Sequence, residues 1–218
     1  MNPTWLGRVP YPLALEMQRL RRDAVVAHVA SDSLWLLEHE PVYTTGRRVV
    51  DLDPSTLNAP LFASERGGLT TWHGPGQLVG YLIVDVGGRG GSVKGAIAAV
   101  EEGIIGWLHG VGLPATRLNG FPGVWVGRDK ICAIGMHFRR GVSMHGFALN
   151  LHPDLRWFDH ISPCGITDGG VTSVEKLLGN SPSLEDAWRP VGEFVCDSLA
   201  RGLTVRDGGL RSEGTLGT

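Results

Sequence analysis

Apolar and polar positions follow two periods along the chain. Leu13, Met17, Leu20 and Ala24 recur at helical spacing and mark the apolar side of an amphipathic helix over residues 11–29. The run "SLWLLEHEPVYTTGRR" reads as two short strands broken near Pro41. "DLDPSTLNAP" is a turn-rich connection, and "LVGYLIVDVGG" is a buried strand ended by the loop "GGRGG". A second helix is predicted over residues 92–109, with Ser92 as N-cap and Gly110 as its stop. "GVWV" and "KICAIGMHF" flank the turn "GRD" as a hairpin, and "SMHGFALNL" supplies a third strand. "TSVEKLLG" predicts a short helix. "SLEDAWRPVGEFVCDSLARGL" predicts a longer one, opened by a Ser183–Asp186 cap and kinked or interrupted at Pro190. Strands and helices mix without strict β-α-β alternation. The fold class is therefore α/β (α+β), a mixed sheet flanked by helices, in a single domain over residues 1–203. Residues 204–218 are expected to be a mobile tail.

Composition narrows the picture by exclusion. The chain has 218 residues, 42% hydrophobic and 19% charged, which suits a globular fold. Its formal net charge of -2 gives no support for bulk attraction to nucleic acid or to an anionic membrane. No apolar run approaches the ~18 residues of a membrane span, and the N-terminus lacks a signal-peptide pattern, so a cytoplasmic location is expected. The three cysteines, Cys132, Cys164 and Cys196, are widely spaced, which argues against a metal knuckle or a disulfide framework. Only Lys94, Lys130 and Lys176 among the 20 basic residues are lysine, so each can be weighed singly.

Three places carry candidate chemistry. In "DHISPCGITDGG" Cys164 lies between Pro163 and Gly165, which predict a turn rather than the strand or helix interior of a core cysteine. In "RGGLTTWHGPGQLVGY" a Gly-Gly pair, His73 and Gly-Pro-Gly precede a strand, which makes a tight loop with a titratable group at its centre. A lone histidine there is more commonly a hydrogen-bonded spacer, and glycine loops are common in any fold. Lys130 directly precedes the apolar run "ICAIG". Spacing alone favours an edge lysine reaching for water. The alternative is a desolvated lysine whose pKa falls far enough to serve as a base. His145 and Asn150 occupy ordinary positions of the next strand.

Taken together, "RGGLTTWHGPGQLVGY", "GVWVGRDKICAIGMHF", "MHGFALNL" and "FDHISPCGI" occur in the order and spacing of the lipoyl(octanoyl) transferases, and the chain resembles that family from about residue 5 to residue 200. The resemblance implies the fold shared with biotin and lipoate protein ligases. It implies Cys164 as nucleophile and Lys130 as base. His73 and His145 match histidines near the family's active site. The substrate is expected against Arg66, Gly67, Gly68, His73, Gly74, Gly76 and Gln77 of the first motif. Ala133, Ile134 and Gly135 of the second motif, and His145, Gly146, Phe147 and Ala148 of the third, complete the set. Two positions depart from the pattern: Cys132 stands where alanine is usual, and Met144 where a polar residue or tyrosine is commoner.

The activity so implied moves an octanoyl (or lipoyl) group from octanoyl-acyl carrier protein to a lysine of a lipoyl domain. The acceptors are the E2 subunits of 2-oxoacid dehydrogenases and the glycine cleavage H protein. Neither ATP nor a metal cofactor is expected, because the donor thioester is already activated. N–H groups around Cys164 and of the glycines after His73 are candidate oxyanion donors. Val79, Ala133 and Gly135 are candidate lining for an apolar tunnel. Arg47–Arg48 and Arg139–Arg140 are candidate contacts for acidic partners. Three other readings stay open: an ATP-dependent lipoate or biotin protein ligase, a Cys–His thioester hydrolase, and a non-catalytic acyl-binding module.

Overall fold

The computed structural model describes residues 1–48, 53–161 and 169–203. Its larger sheet has seven strands in the order β1-β2-β6-β10-β9-β8-β7. These are β1 (Pro3–Arg8), β2 (Ser33–Glu38), β6 (Gln77–Ile83), β7 (Ala115–Leu118), β8 (Phe121–Val126), β9 (Asp129–Arg139) and β10 (Val142–Asn150). Only the β1–β2 pair is parallel; the others are antiparallel. A smaller sheet orders β4 (Leu61–Ala63), β3 (Val42–Thr45) and β5 (Thr71–His73) as β4-β3-β5. The strands near Pro41, the long buried strand and the three-strand run from residue 121 to 150 all form where the alternation predicts them. Strands β1, β4, β5 and β7 were not anticipated. Each is short or at an edge, with too few residues to show a period.

One face of the large sheet is covered by α2 (Val93–Gly110) and α4 (Leu184–Leu203), which pack on each other. Leu36, Leu78, Leu82, Val124, Phe147 and Leu149 meet Ala96, Val100, Ile104, Val191, Val195 and Leu199 there. Ser92 caps α2 by accepting the Gly95 N–H at 3.0 Å. Ser183 Oγ accepts the Asp186 N–H at 3.1 Å and donates to Asp186 Oδ2 at 2.8 Å, the cap expected for α4. α4 nevertheless runs through Pro190 as one element. Ser173 likewise caps the short α3 (Val174–Leu178).

The opposite face carries α1 (Tyr11–Val26) and the small sheet. Here the helical periodicity misled. Leu13 and Leu20 are exposed, at 50% and 66%, and the buried side of α1 is Tyr11, Ala14, Leu15, Gln18, Arg22 and Val25. Beside its apolar clusters this layer buries polar groups. It holds His39, His73 and His145, all buried. His39 Nδ1–H donates to the Val9 carbonyl at 2.6 Å, so its Nε2 accepts from the Tyr81 hydroxyl at 2.7 Å. Burial holds its pKa at about 4, and that of His73 and of His145 at about 3. Among the described residues no helix is long and apolar enough to cross a membrane.

Two outcomes follow from this packing. Gly103 of α2 touches α4 so closely that a Cβ would lie 2.6 Å from Val195 Cα. Gly103→Ala should therefore cost about 1–3 kcal/mol through backbone displacement and lower Tm by several degrees in thermal unfolding; an unchanged Tm would contradict the close approach. The three histidines are depressed below their ordinary value, so the unfolded chain takes up protons that the folded one refuses. Stability is full above about pH 7 and declines as pH falls through ~6.5, each histidine contributing a slope of about 1.4 kcal/mol per unit. Denaturant unfolding at about pH 7.5 and 5.5 should differ by about 4 kcal/mol; equal midpoints would mean the histidines are not held neutral.

Candidate active site

The site lies on the α1-facing side of the large sheet, and two departures from strand alternation create it. The pairs Gln77–Asn150, Val79–Ala148 and Tyr81–Gly146, then Ala148–Ala133 and Gly146–Gly135, put these side chains and glycines on one face. Strict alternation would turn Lys130 to the opposite face with Cys132. The β8–β9 register instead slips between Val124–Cys132 and Trp125–Lys130, so Ile131 is an extra residue. Lys130 is thereby returned to the site face, opposite Trp125. Its ammonium stands 4.6 Å from the Trp125 ring centroid, and Nζ donates to the Pro122 carbonyl at 3.3 Å. Cys132 stays in the helical core, fully buried, where burial pushes its thiol far up. The second departure is His145, whose φ of +58° breaks the alternation of β10. Its ring meets Tyr81 edge-on, and its N–H donates to Gln18 Oε1 at 2.8 Å.

The "RGG" loop is laid across β9. Gly67 N–H donates to the Met136 carbonyl at 3.0 Å, and a Cβ on Gly135 would meet Gly67 O at 3.0 Å and Arg66 Cδ at 3.2 Å. Gly135 is thus a place of close backbone approach. Arg66 donates from Nη2 to the Thr44 carbonyl at 2.6 Å and to Thr44 Oγ1 at 2.9 Å.

"HGPGQ" folds as a tight turn. Gly74 O accepts the Gln77 N–H at 3.1 Å, and Gly76, at φ +83°, donates its N–H to Glu38 Oε1 at 2.8 Å. Neither Gly74 nor Gly76 lines the cleft. The Gly76 N–H is committed to a carboxylate, so this glycine corrects the expectation of an oxyanion donor there. What the turn does is bring Gln77 back against His73.

Their hydrogen bonds have defined directions. The Thr172 carbonyl accepts from Asn150 Nδ2 at 3.0 Å, which leaves Asn150 Oδ1 to accept from Gln77 Nε2 at 2.9 Å. Gln77 Oε1 then accepts from His73 Nδ1–H at 2.8 Å. The bare His73 Nε2 faces Thr44 Oγ1 at 3.4 Å, and Thr44 in turn accepts from Arg66. At the other end, Lys130 N–H donates to Gly170 O at 2.9 Å, Thr172 N–H donates to Lys130 O at 3.0 Å, and Asp129 Oδ1 accepts the Gly170 N–H at 2.9 Å.

These parts surround a cleft of about 430 Å³. Lys130, Arg66, Gly67, Gly68, His73 and Gln77 line it, as do Ala133, Ile134 and Gly135 and the run His145, Gly146, Phe147, Ala148. Val79 lines it too, as expected for an apolar wall. Cys164 lies outside the described residues, as does the tail from residue 204. Tyr11, Tyr81, Phe121, Pro122, Phe158 and Val171 also line the cleft and were not singled out from sequence. Phe121–Pro122 sits between Gly120 and Gly123, and that bracketing is the one signal that could have marked it. Of the arginine pairs, Arg48 is at the cleft and Arg47 beside it, both exposed. Arg139 and Arg140 are exposed at the β9–β10 turn.

A family model described as the lipoyl protein ligase A/B catalytic domain matches residues 10–194. An octanoyltransferase of a Mycobacterium species (strain KMS) is 43% identical over 206 residues, 92% of this chain and 86% of that protein. Among solved structures, a Thermoplasma acidophilum protein with bound lipoic acid superposes with a TM-score of 0.63 at 17% identity, covering 93% of this chain and 86% of that one. A biotin protein ligase from Aquifex aeolicus in complex with biotin and ATP gives 0.59 at 12% identity, covering 92% and 71%. The structural likenesses bear out the ligase-like fold. The match over residues 10–194, together with the shared sequence, places the chain in the lipoyl protein ligase A/B catalytic domain family, as an enzyme among its octanoyltransferases.

Proposed function

We propose that the chain moves an octanoyl group from a thioester on acyl carrier protein to a lysine amine of a lipoyl domain, through an acyl thioester on Cys164, without ATP. The observation that carries this is the placement of Lys130. A bulge turns it into the cleft, and the segment that follows Cys164 in sequence is bonded to its backbone at Gly170 and Thr172. Lys130 Nζ takes the Cys164 thiol proton. The thiolate attacks the donor carbonyl, the carbon–sulfur bond to the carrier breaks, and the carrier thiolate leaves with the proton from Lys130. An acceptor lysine amine then attacks the Cys164 thioester. Its proton passes to Lys130 as the amide forms, and the Cys164 thiolate is released.

The wall of Val79, Ala133 and Ala148 suits the acyl tail, whose ~6 methylenes contribute ~0.8 kcal/mol each when buried, ~5 kcal/mol in all. A Cys–His hydrolase is the weaker reading. His73 is engaged at Nδ1 by Gln77 and faces Thr44 with Nε2, and His145 is held at about 3. The donors and acceptors in this proposal are octanoyl-acyl carrier protein, the E2 lipoyl domains of 2-oxoacid dehydrogenases and the glycine cleavage H protein.

Transfer to a purified lipoyl domain should proceed in the absence of ATP. Cys164→Ala should abolish it and Lys130→Ala should lower it by on the order of 10³-fold, with the fold intact by thermal unfolding. Cys132→Ala should keep most activity, because that thiol faces α2 and α4. An active Cys164→Ala protein, or transfer that requires ATP, would overturn the proposal. Acidic partners would be steered by the exposed arginines. The Arg139→Glu/Arg140→Glu double variant should slow association at low salt and match the parent at high salt. An unchanged rate at low ionic strength would reject that surface.

A further inference from the structure

Asn150 is an unremarkable strand residue by sequence, yet it joins the two halves of the site. Its amide nitrogen holds the Thr172 carbonyl and its amide oxygen holds Gln77, and from Gln77 the bonds continue through His73 and Thr44 to Arg66. Every side chain of this path is buried. The middle of it needs one donor and one acceptor at the same place, which the carboxamide supplies. Aspartate accepts at both oxygens, and leucine has the shape and no polar atoms. The Thr172 end is the consequential one. Residues 170–172 are bonded to Lys130 on both sides, through Gly170 O and Thr172 N–H. The Arg66 end carries the loop that lies over Gly135 and Met136.

We infer that Asn150 is a positioning residue: through Gln77, His73 and Thr44 it ties residues 170–172, which are bonded to Lys130, to the Arg66–Gly68 loop, so that Lys130 and the acyl-binding loop keep one spacing. This rests on Cys164 as nucleophile. Losing the tie leaves the cleft walls Val79, Ala133 and Ala148 in place, so donor binding persists. What suffers is the placing of Lys130 relative to the bound acyl group, where a misplacement of about 1 Å costs on the order of 10²-fold.

In Asn150→Asp the Gln77 bond survives, but a carboxylate then faces the Thr172 carbonyl oxygen. When that carboxyl is protonated it can donate to Thr172 again. The charged or titratable groups around this part of the cleft are Lys130 and Asp129 on β9, His73 on β5, Tyr81 on β6, His145 on β10, Tyr11 on α1, Arg66 and Arg48 from the loops, and Glu38 on the Gly76 N–H. All are common to both proteins, so each rate is taken as a ratio to the parent at the same pH.

The test is single-turnover acylation by octanoyl-carrier, followed by intact mass, in the parent, Asn150→Asp and Asn150→Leu, with thermal unfolding as the check on folding. Both variants should acylate on the order of 10²-fold more slowly with the donor KM within about twofold. The Asp variant's deficit should shrink between about pH 8 and pH 5.5, while the Leu variant's stays constant. Acylation at the parental rate in either folded variant, a loss carried by KM, or an Asp deficit that does not move with pH would each overturn the inference. If an Asn150 variant fails to fold, Gln77→Met breaks the same tie from the other side. A slowed rate at constant KM supports the inference, and a parental rate overturns it. A parent protein that gains no octanoyl mass on Cys164 would instead remove the reading on which the inference rests.

Discussion

A one-residue offset between β8 and β9 governs this site. With Ile131 inserted, Lys130 faces Trp125 and the cleft, while Cys132, two positions on, faces the core under α2 and α4. Without it the lysine would have to be buried among Val124, Val195 and Leu199, or the helices would have to part. A bulge is disfavoured in the middle of a ladder unless neighbours fix it. Here Gly123, at φ +130°, makes room on β8, where a Cβ would lie 2.7 Å from Cys132 O and 3.2 Å from Lys130 Cε. The Gly123 N–H is held by Glu101 Oε1 of α2 at 3.0 Å. The helical layer on the far face thus anchors the strand whose partner delivers the lysine.

The layer on the near face is built by a different rule. It buries polar groups beside apolar clusters, and its histidines are neutral because burial penalises their charge. Neutral imidazoles can each donate once and accept once, and His39 and His73 do both. One joins Val9 to Tyr81, the other joins Gln77 to Thr44. The effect is a floor of fixed hydrogen-bond directions beneath an apolar wall.

How much of this was readable in the sequence depended on whether the chain kept its period. β2, β6, β8 and β10 alternate or are continuously apolar, and α2 and α4 carry explicit caps at Ser92 and Ser183, so their positions were legible. α1 was legible as a helix but not in its facing. Gln18 and Arg22 are buried because they bond the His145 N–H and the Met144 sulfur, long-range partners that periodicity cannot register. The site residues were legible as motifs and illegible as geometry. Lys130 and Cys132 look like residues of one face until the Ile131 bulge is known, and His145 looks like an ordinary strand position until its left-handed backbone is known. Gly74 and Gly76 looked like ligand-binding glycines and prove to be turn formers, because Gly76 gives its N–H to Glu38. Asn150 read as an ordinary strand position, since its importance lies in having Thr172 on one side and Gln77 on the other.

The claim at the centre of this account is that a lysine turned into the cleft serves a thiol that becomes acylated. The most direct measurement is the intact mass of the protein after incubation with octanoyl-carrier, with neither acceptor nor ATP present. The account predicts a gain of one octanoyl group on Cys164. It should be removed by hydroxylamine, discharged to an amide when a lipoyl domain is added, and fail to form as a thioester in Cys164→Ser. A mass that stays unchanged while octanoylated lipoyl domain accumulates on later addition of acceptor would contradict it.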